Sequence, residues 1–156
     1  MTKYADNTAV TRDRSRAEIE RTLSRYGATG FMYGWQPAAA IVAFEMHARR
    51  VKFALPLPDK RSRAFTHTPG RYTERSPAQA EAAYEQSVRP RWRALALVIK
   101  AKLEAVETGI TEFEEEFLAH IVLPNGQTVG SWMLPQVALA YERGDMPPLL
   151  PAPGST

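Results

Sequence analysis

Cysteine is absent from this 156-residue chain. That one absence excludes disulfide frameworks, zinc–thiolate sites, iron–sulfur clusters and thiol nucleophiles. It also fits a reducing compartment. Long apolar runs are missing as well. A stretch such as Ala94 to Ile99 is far too short to span a bilayer. The first thirteen residues are polar and carry no apolar core of the kind a secretory signal needs. No G-x-S-x-G or S-x-x-K nucleophile motif occurs. Gly27, Gly30 and Gly34 do not follow a strand and open a helix, as a phosphate-cradling loop requires. The expectation is a protein of the cytoplasm, without enzymatic activity, cofactor, metal or membrane partner.

What is present is ordinary in amount and uneven in placement. An apolar fraction of 44% and a charged fraction of 24% suit a globular domain. A domain of this length buries roughly 70% of its unfolded surface, enough for a core without cross-links. Residues 15–151 are expected to form that single domain, with residues 1–14 a flexible N-terminus and residues 152–156 a tail. The net charge of +3 hides an asymmetry. Residues 1–75 hold 14 Lys/Arg against 7 Asp/Glu, whereas residues 76–156 hold 6 against 10. A basic first half points to a polyanionic partner.

Periodicity gives the elements. Ser15-Arg16-Ala17-Glu18 has the form of a capping box and predicts a helix that Gly27 ends. Phe31, Tyr33 and Trp35 then alternate with Gly30, Met32 and Gly34. Val42, Phe44 and Met46 alternate with Ala43, Glu45 and His47. Val51, Phe53 and Leu55 alternate with Arg50, Lys52 and Ala54. This is a three-stranded meander with one apolar and one mixed face. Residues 56–76 read as a loop, long enough to be either mobile or functional. Ser76-Pro77-Ala78-Gln79 opens a long helix to about Thr108, whose stripe is Val88, Trp92, Leu95, Ile99, Leu103 and Val106. Pro90 predicts a bend near Gln86–Arg89, with the stripe continuing through it. Thr111-Glu112-Phe113-Glu114 reads as another capping box, for a short helix carrying Phe113, Phe117, Leu118 and Ile121. Pro124-Asn125-Gly126 is a turn. A last helix, from about Gly130 or only from Pro135 to Arg143, has Trp132, Val137 and Tyr141 as apolar anchors and Gly144 as its cap. The proline-rich end from Met146 to Pro151 is expected to lie extended over the core. The fold class is α+β, in the order α-βββ-α-α-α: a three-stranded antiparallel meander packed on a long kinked helix with further C-terminal helices.

The best chemical signal is cationic and aromatic. Lys60, Arg61, Arg63, Arg71 and Arg75 alternate with Phe65 and Tyr72 in the loop. Phosphates need Lys or Arg heads in series, and rings among them stack on bases. Arg89, Arg93 and Lys100 lie nearly in line on the long helix, and Arg50 and Lys52 on the solvated strand face extend the set. Glu45 with His47 and Glu116 with His120 are pairs, short of the three or four ligands a metal needs. The run Glu112, Glu114, Glu115, Glu116 is read as first-turn charge favoured by the helix dipole. The apolar stripe of the long helix would equally suit a second copy, so a homo-oligomer through that helix is left open.

The segments Arg91 to Val106 and Phe117 through the Pro124-Asn125-Gly126 turn to Pro151 resemble small uncharacterised proteins encoded by bacteriophages and prophages. The likeness covers most of the chain after Ser15. It implies a phage origin and the cytoplasm of a bacterial host. The meander followed by a long helix also resembles the core of single-strand annealing recombinases in element order alone. Together these point to a non-enzymatic phage accessory protein that binds nucleic acid, with single-stranded DNA favoured. The alternatives are an inhibitor or adaptor that binds a host protein, for example a defence complex, and a virion or assembly component.

Overall fold

A computed structural model describes the backbone of residues 3–146 and the side chains of residues 13–146. The expected order is observed: helix α1 (Lys3–Arg25), strands β1 (Gly30–Gln36), β2 (Ala39–Met46) and β3 (Arg49–Pro56), a one-turn helix α2 (Arg63–Thr66), the long helix α3 (Pro77–Glu107), a one-turn helix α4 (Phe113–Glu116), a 3-10 turn (Leu118–His120) and helix α5 (Val129–Arg143). The strands pair antiparallel in sequence order.

Side-chain alternation decides which face of the sheet is buried. Register sets Phe31 beside Phe44, Tyr33 beside Val42 and Trp35 beside Ala40. Val42 also faces Phe53, and Phe44 faces Val51. These residues make the core face, and α1 and α3 pack on it. Ile19 and Leu23 of α1 and Val88, Trp92, Leu95, Ile99 and Leu103 of α3 are buried there. The stripe on α3 is therefore filled inside the chain, and the dimer seam suggested for that helix is already occupied. Phe117 closes the far end, its ring edge-on to both Phe44 and Phe53. The opposite sheet face carries Met32, Glu45, Arg50 and Lys52, and Met32 there is more than half exposed.

Several boundaries differ from the sequence expectation. Helix α1 begins at Lys3, so Ser15 lies inside it and caps nothing. No Gly or Pro interrupts residues 3–25, and a helix that meets no breaker runs past an internal cap-like tetrad. Helix α3 opens as expected: the Ser76 hydroxyl accepts from Gln79 N–H at 3.2 Å, and Gln79 Oε1 accepts from Ser76 N–H at 3.1 Å. It passes Pro90 as one 31-residue helix. The box at Thr111 does not form. Glu112 is the cap residue, without a side-chain bond, and α4 is a single turn. Phe113, Phe117 and Ile121 are buried, but Leu118 faces outward. Helix α5 starts at Val129, capped by Thr128, and contains Pro135. Its anchors Trp132, Val137 and Tyr141 are exposed rather than packed. Gly144 caps it at φ 74°, as expected. The segment Pro147 to Pro151 lies outside the described residues.

The connection 56–76 is built rather than loose. Arg91 Nη1 donates to the Pro56 carbonyl at 2.7 Å and ties its start to α3. Ser62 caps α2. His67 then bridges Glu74 antiparallel, making a small hairpin tip that turns through Gly70 and Tyr72, both at positive φ. A second hairpin covers the edge of β3: Ile121 bridges Val51, and Val122 bridges Thr128 across the predicted turn.

Candidate nucleic-acid interface

The twelve expected contact residues separate into three groups. Lys60, Arg61, Arg63, Phe65, Arg71, Tyr72 and Arg75 lie on the connection beside the first turns of α3. Arg50 and Lys52 sit at the other end of β3. Six residues separate Arg50 from Pro56, about 20 Å of strand. Arg89, Arg93 and Lys100 run along α3.

Hydrogen bonding then divides free cations from occupied ones. Arg50 pairs with Glu45 at 2.9 Å. Lys52 Nζ donates to the Gly126 carbonyl at 3.4 Å. Arg75 Nη1 donates to the Ala64 and Phe65 carbonyls at 3.3 and 3.0 Å, where it satisfies the end of α2. Phe65 points inward, edge-on to Tyr84. The Nε of Arg89 is buried with no partner among the described residues. By contrast Arg61, Arg63 and Arg71 are exposed, and none forms an ion pair among the described residues. Tyr72 beside them is 68% exposed. The connection thus keeps three of its five cations and one of its two rings for solvent.

Next to this surface lies a cleft that sequence reasoning missed. About 490 Å³ opens between α1, the β1–β2 turn, the connection and α3. Its walls include Tyr33, Trp35, Tyr84 and Trp92, with Asp13, Arg16 and Lys60. The rings form a chain: Trp35 to Tyr33 at 6.2 Å, Tyr33 to Trp92 at 5.5 Å. Arg16 sits 4.8 Å above Tyr33, and Lys60 sits 4.8 Å above Tyr84. Both cations are also touched by carboxylates, Asp13 at 3.9 Å and Glu81 at 3.4 Å. Those contacts are weak and solvent-screened. Trp35 is 76% exposed although its side chain leaves the core face of β1. It stands on the edge strand β1, level with Ala40 and Leu55, which are buried on the two strands beside it. Alternation alone reports the face, not the place of the strand in the sheet.

A second cationic group brings Arg21 and Arg25 of α1 to Lys100 of α3, with Glu18 the carboxylate in that groove. Since Asp13 and Arg16 meet Tyr84 to Trp92 while Arg21 and Arg25 meet Lys100, α1 and α3 run parallel. Of the in-line set Arg89, Arg93 and Lys100, it is Lys100 that lines this interhelical groove.

Two of the three histidines pack on rings, and His67 instead shares a 2.8 Å hydrogen bond with the Thr66 hydroxyl. His47 packs on Phe113 at 4.8 Å, and His120 stacks on Phe53 at 4.1 Å. Burial lowers the His120 pKa from its ordinary value, the Lys102 charge lowers it further, and a hydrogen bond to the Lys52 backbone opposes them. Glu116 pairs with Lys102 at 3.0 Å. Among the described residues no three His, Asp or Glu converge as metal ligands. Likewise none of the helices searched is long and apolar enough to cross a membrane. Comparison with protein-family models, curated proteins and solved structures finds no match for this chain.

Proposed function

We propose that this protein binds single-stranded nucleic acid along the surface that joins the hairpin tip of the 56–76 connection to the mouth of the aromatic cleft. The observation that carries this reading is that three exposed arginines, Arg61, Arg63 and Arg71, with no ion pair among the described residues, share the 56–76 connection with the exposed Tyr72, and that Arg61 lines a surface groove with Pro37, two residues from the exposed Trp35. Guanidinium groups that are not already held in ion pairs can neutralise phosphates, and the nucleic acid then releases its condensed counterions. Exposed rings stack on unpaired bases whatever their identity. A duplex hides its base faces, so the rings favour a single strand. No base-reading array accompanies the rings, and the binding is sequence-tolerant. In this reading the protein acts in a bacterial cell that carries the phage encoding it.

The test is fluorescence anisotropy of a labelled oligothymidine at low salt, with duplex of equal length alongside. Complex formation stronger on the single strand is expected. Trp35→Ala should weaken it by about 1–3 kcal/mol, the worth of one stacked base, without affecting the fold. Absence of any complex at low salt would reject the proposal. Indifference to Trp35→Ala would remove the cleft mouth from it.

A further inference from the structure

The aromatic cleft has a floor. Val88 and Trp92 of α3 line it and are buried, at 2% and 1% exposure, so the space ends on the core. Its walls come from three other elements: Arg16 on α1, Tyr33 and Trp35 on β1, and Lys60 on the connection. At about 490 Å³ it lies within the ~300–1,000 Å³ range of small-ligand sites, and like them it combines rings with a few polar groups. A strand cannot thread a space that ends on the core. One unpaired base can enter it, with the sugar and phosphate left at the rim.

We propose that this cleft takes a single nucleotide unit, the base against the Tyr33 and Trp35 rings and the phosphate at Arg16 and Lys60. That unit is the one the single-strand reading supplies, on which the proposal rests for its ligand, and a free mononucleotide should fill the same space. Rings alone would accept any flat apolar molecule. The two cations add the demand for an anionic substituent. A cationic ligand is disfavoured, because the ring faces of Tyr33 and Tyr84 already carry Arg16 and Lys60 at 4.8 Å. The carboxylates near those cations are replaceable. Asp13 stands 3.9 Å from Arg16 and Glu81 3.4 Å from Lys60, both longer than a good charged hydrogen bond, and the four side chains are 42% to 60% exposed. A phosphate brings up to about two negative charges and three acceptor oxygens, which suit the guanidinium fork of Arg16. Lys60 and Pro37 line both this cleft and the neighbouring groove of Arg61, so the rim continues into the cationic connection.

Trp92 reports on the interior. The chain has three tryptophans, and the other two are exposed. Trp35→Phe with Trp132→Phe therefore leaves the floor as the sole tryptophan emitter and keeps a ring at the mouth. Thymidine monophosphate, titrated to about 10 mM, should change the Trp92 emission saturably. Inorganic phosphate should not, and thymidine should bind roughly threefold more weakly than its phosphate, or worse. Arg16→Gln with Lys60→Gln on that background should weaken the nucleotide about tenfold, with an unchanged circular dichroism spectrum. Trp92 emission indifferent to the nucleotide would overturn the pocket; oligothymidine still bound by the same variant, read by anisotropy, would then leave the strand-binding surface standing. An equal response to inorganic phosphate, or an affinity untouched by loss of both cations, would also overturn it. A saturable nucleotide response without any oligothymidine complex would uphold the pocket and reject the strand surface.

Discussion

The division of cations into free and occupied ones predicts two variants of equal charge and opposite behaviour. Arg61→Gln, Arg63→Gln and Arg71→Gln together remove three positive charges from the 56–76 connection and its hairpin. Arg49→Gln, Arg50→Gln and Lys52→Gln remove three from the start of β3. Either triple brings the net charge from +3 to zero. A bound single strand contributes a slope of about −0.7 in log K against log salt for each phosphate neutralised. Three free arginines therefore account for a slope of about −2, or roughly a twentyfold loss of affinity between 50 and 200 mM salt. The hairpin triple should lose that part of the slope. The β3 triple should keep it, because Arg49 is held by Glu114 at 2.9 Å, Arg50 by Glu45 at 2.9 Å and Lys52 by the Gly126 carbonyl. Both triples should remain folded, since exposed pairs of this kind contribute about 0–1 kcal/mol each. The assay is anisotropy of labelled oligothymidine over a salt series. Equal flattening by the two triples would show that net charge alone drives binding, and the site assignment would be wrong.

Two further outcomes concern the fold itself. His47 and Ala48 turn from β2 to β3 with φ of 51° and 57°, the left-handed values a two-residue hairpin turn requires. Ala48→Gly should therefore stabilise the protein by about 1 kcal/mol, seen as a higher urea midpoint, and a lower midpoint would refute the strain. His120 supplies a pH effect. A folded-state pKa below the ordinary value means the unfolded chain binds the proton more readily, so its contribution is full above pH 6.5 and declines as pH falls from there through the lowered value. The urea midpoint should fall between pH 7.5 and 5.5, and His120→Gln should shrink that drop; an undiminished drop would clear His120 of it.

The meander and α3 were legible because local pattern and tertiary burial agree there. Period-two alternation placed Phe31, Val42 and Phe53 on one face, and the three-and-four spacing from Val88 to Leu103 matched the residues that are buried. Prediction failed where a local signal competes with something remote. The tetrad at Ser15 has the chemistry of a cap, but a cap also needs a chain that leaves the helix, and nothing upstream breaks it. Thr111 failed for a related reason. Burial of Phe113 and Phe117 in the core fixes where α4 sits, and its single turn begins at Phe113 with Glu112 as cap residue. In α5 the expected anchors Trp132, Val137 and Tyr141 are all exposed, because apolar character in a helix does not say whether anything covers it.

The same reasoning explains why the site was only half readable. Arg71 and Arg75 are four residues apart in one basic stretch, and composition treats them alike. The hairpin closed by His67 and Glu74 separates them: Arg75, just past the bridge, turns back onto the carbonyls of α2, while Arg71 at the tip reaches solvent. Phe65 and Tyr72 divide in the same way, one ring against Tyr84 and the other exposed. A charge count therefore overstates an electrostatic surface wherever a connection is ordered, because ordering it consumes donors. Aromatics obey the opposite bias. Trp35 has the parity of a core residue, yet β1 is an edge strand: Ala40 and Leu55 at the same level of the sheet are buried, and the Trp35 ring is left open. An edge strand is thus where an apolar pattern most readily yields an exposed ring, and here that ring shares its cleft with Lys60, next in the chain to the exposed Arg61.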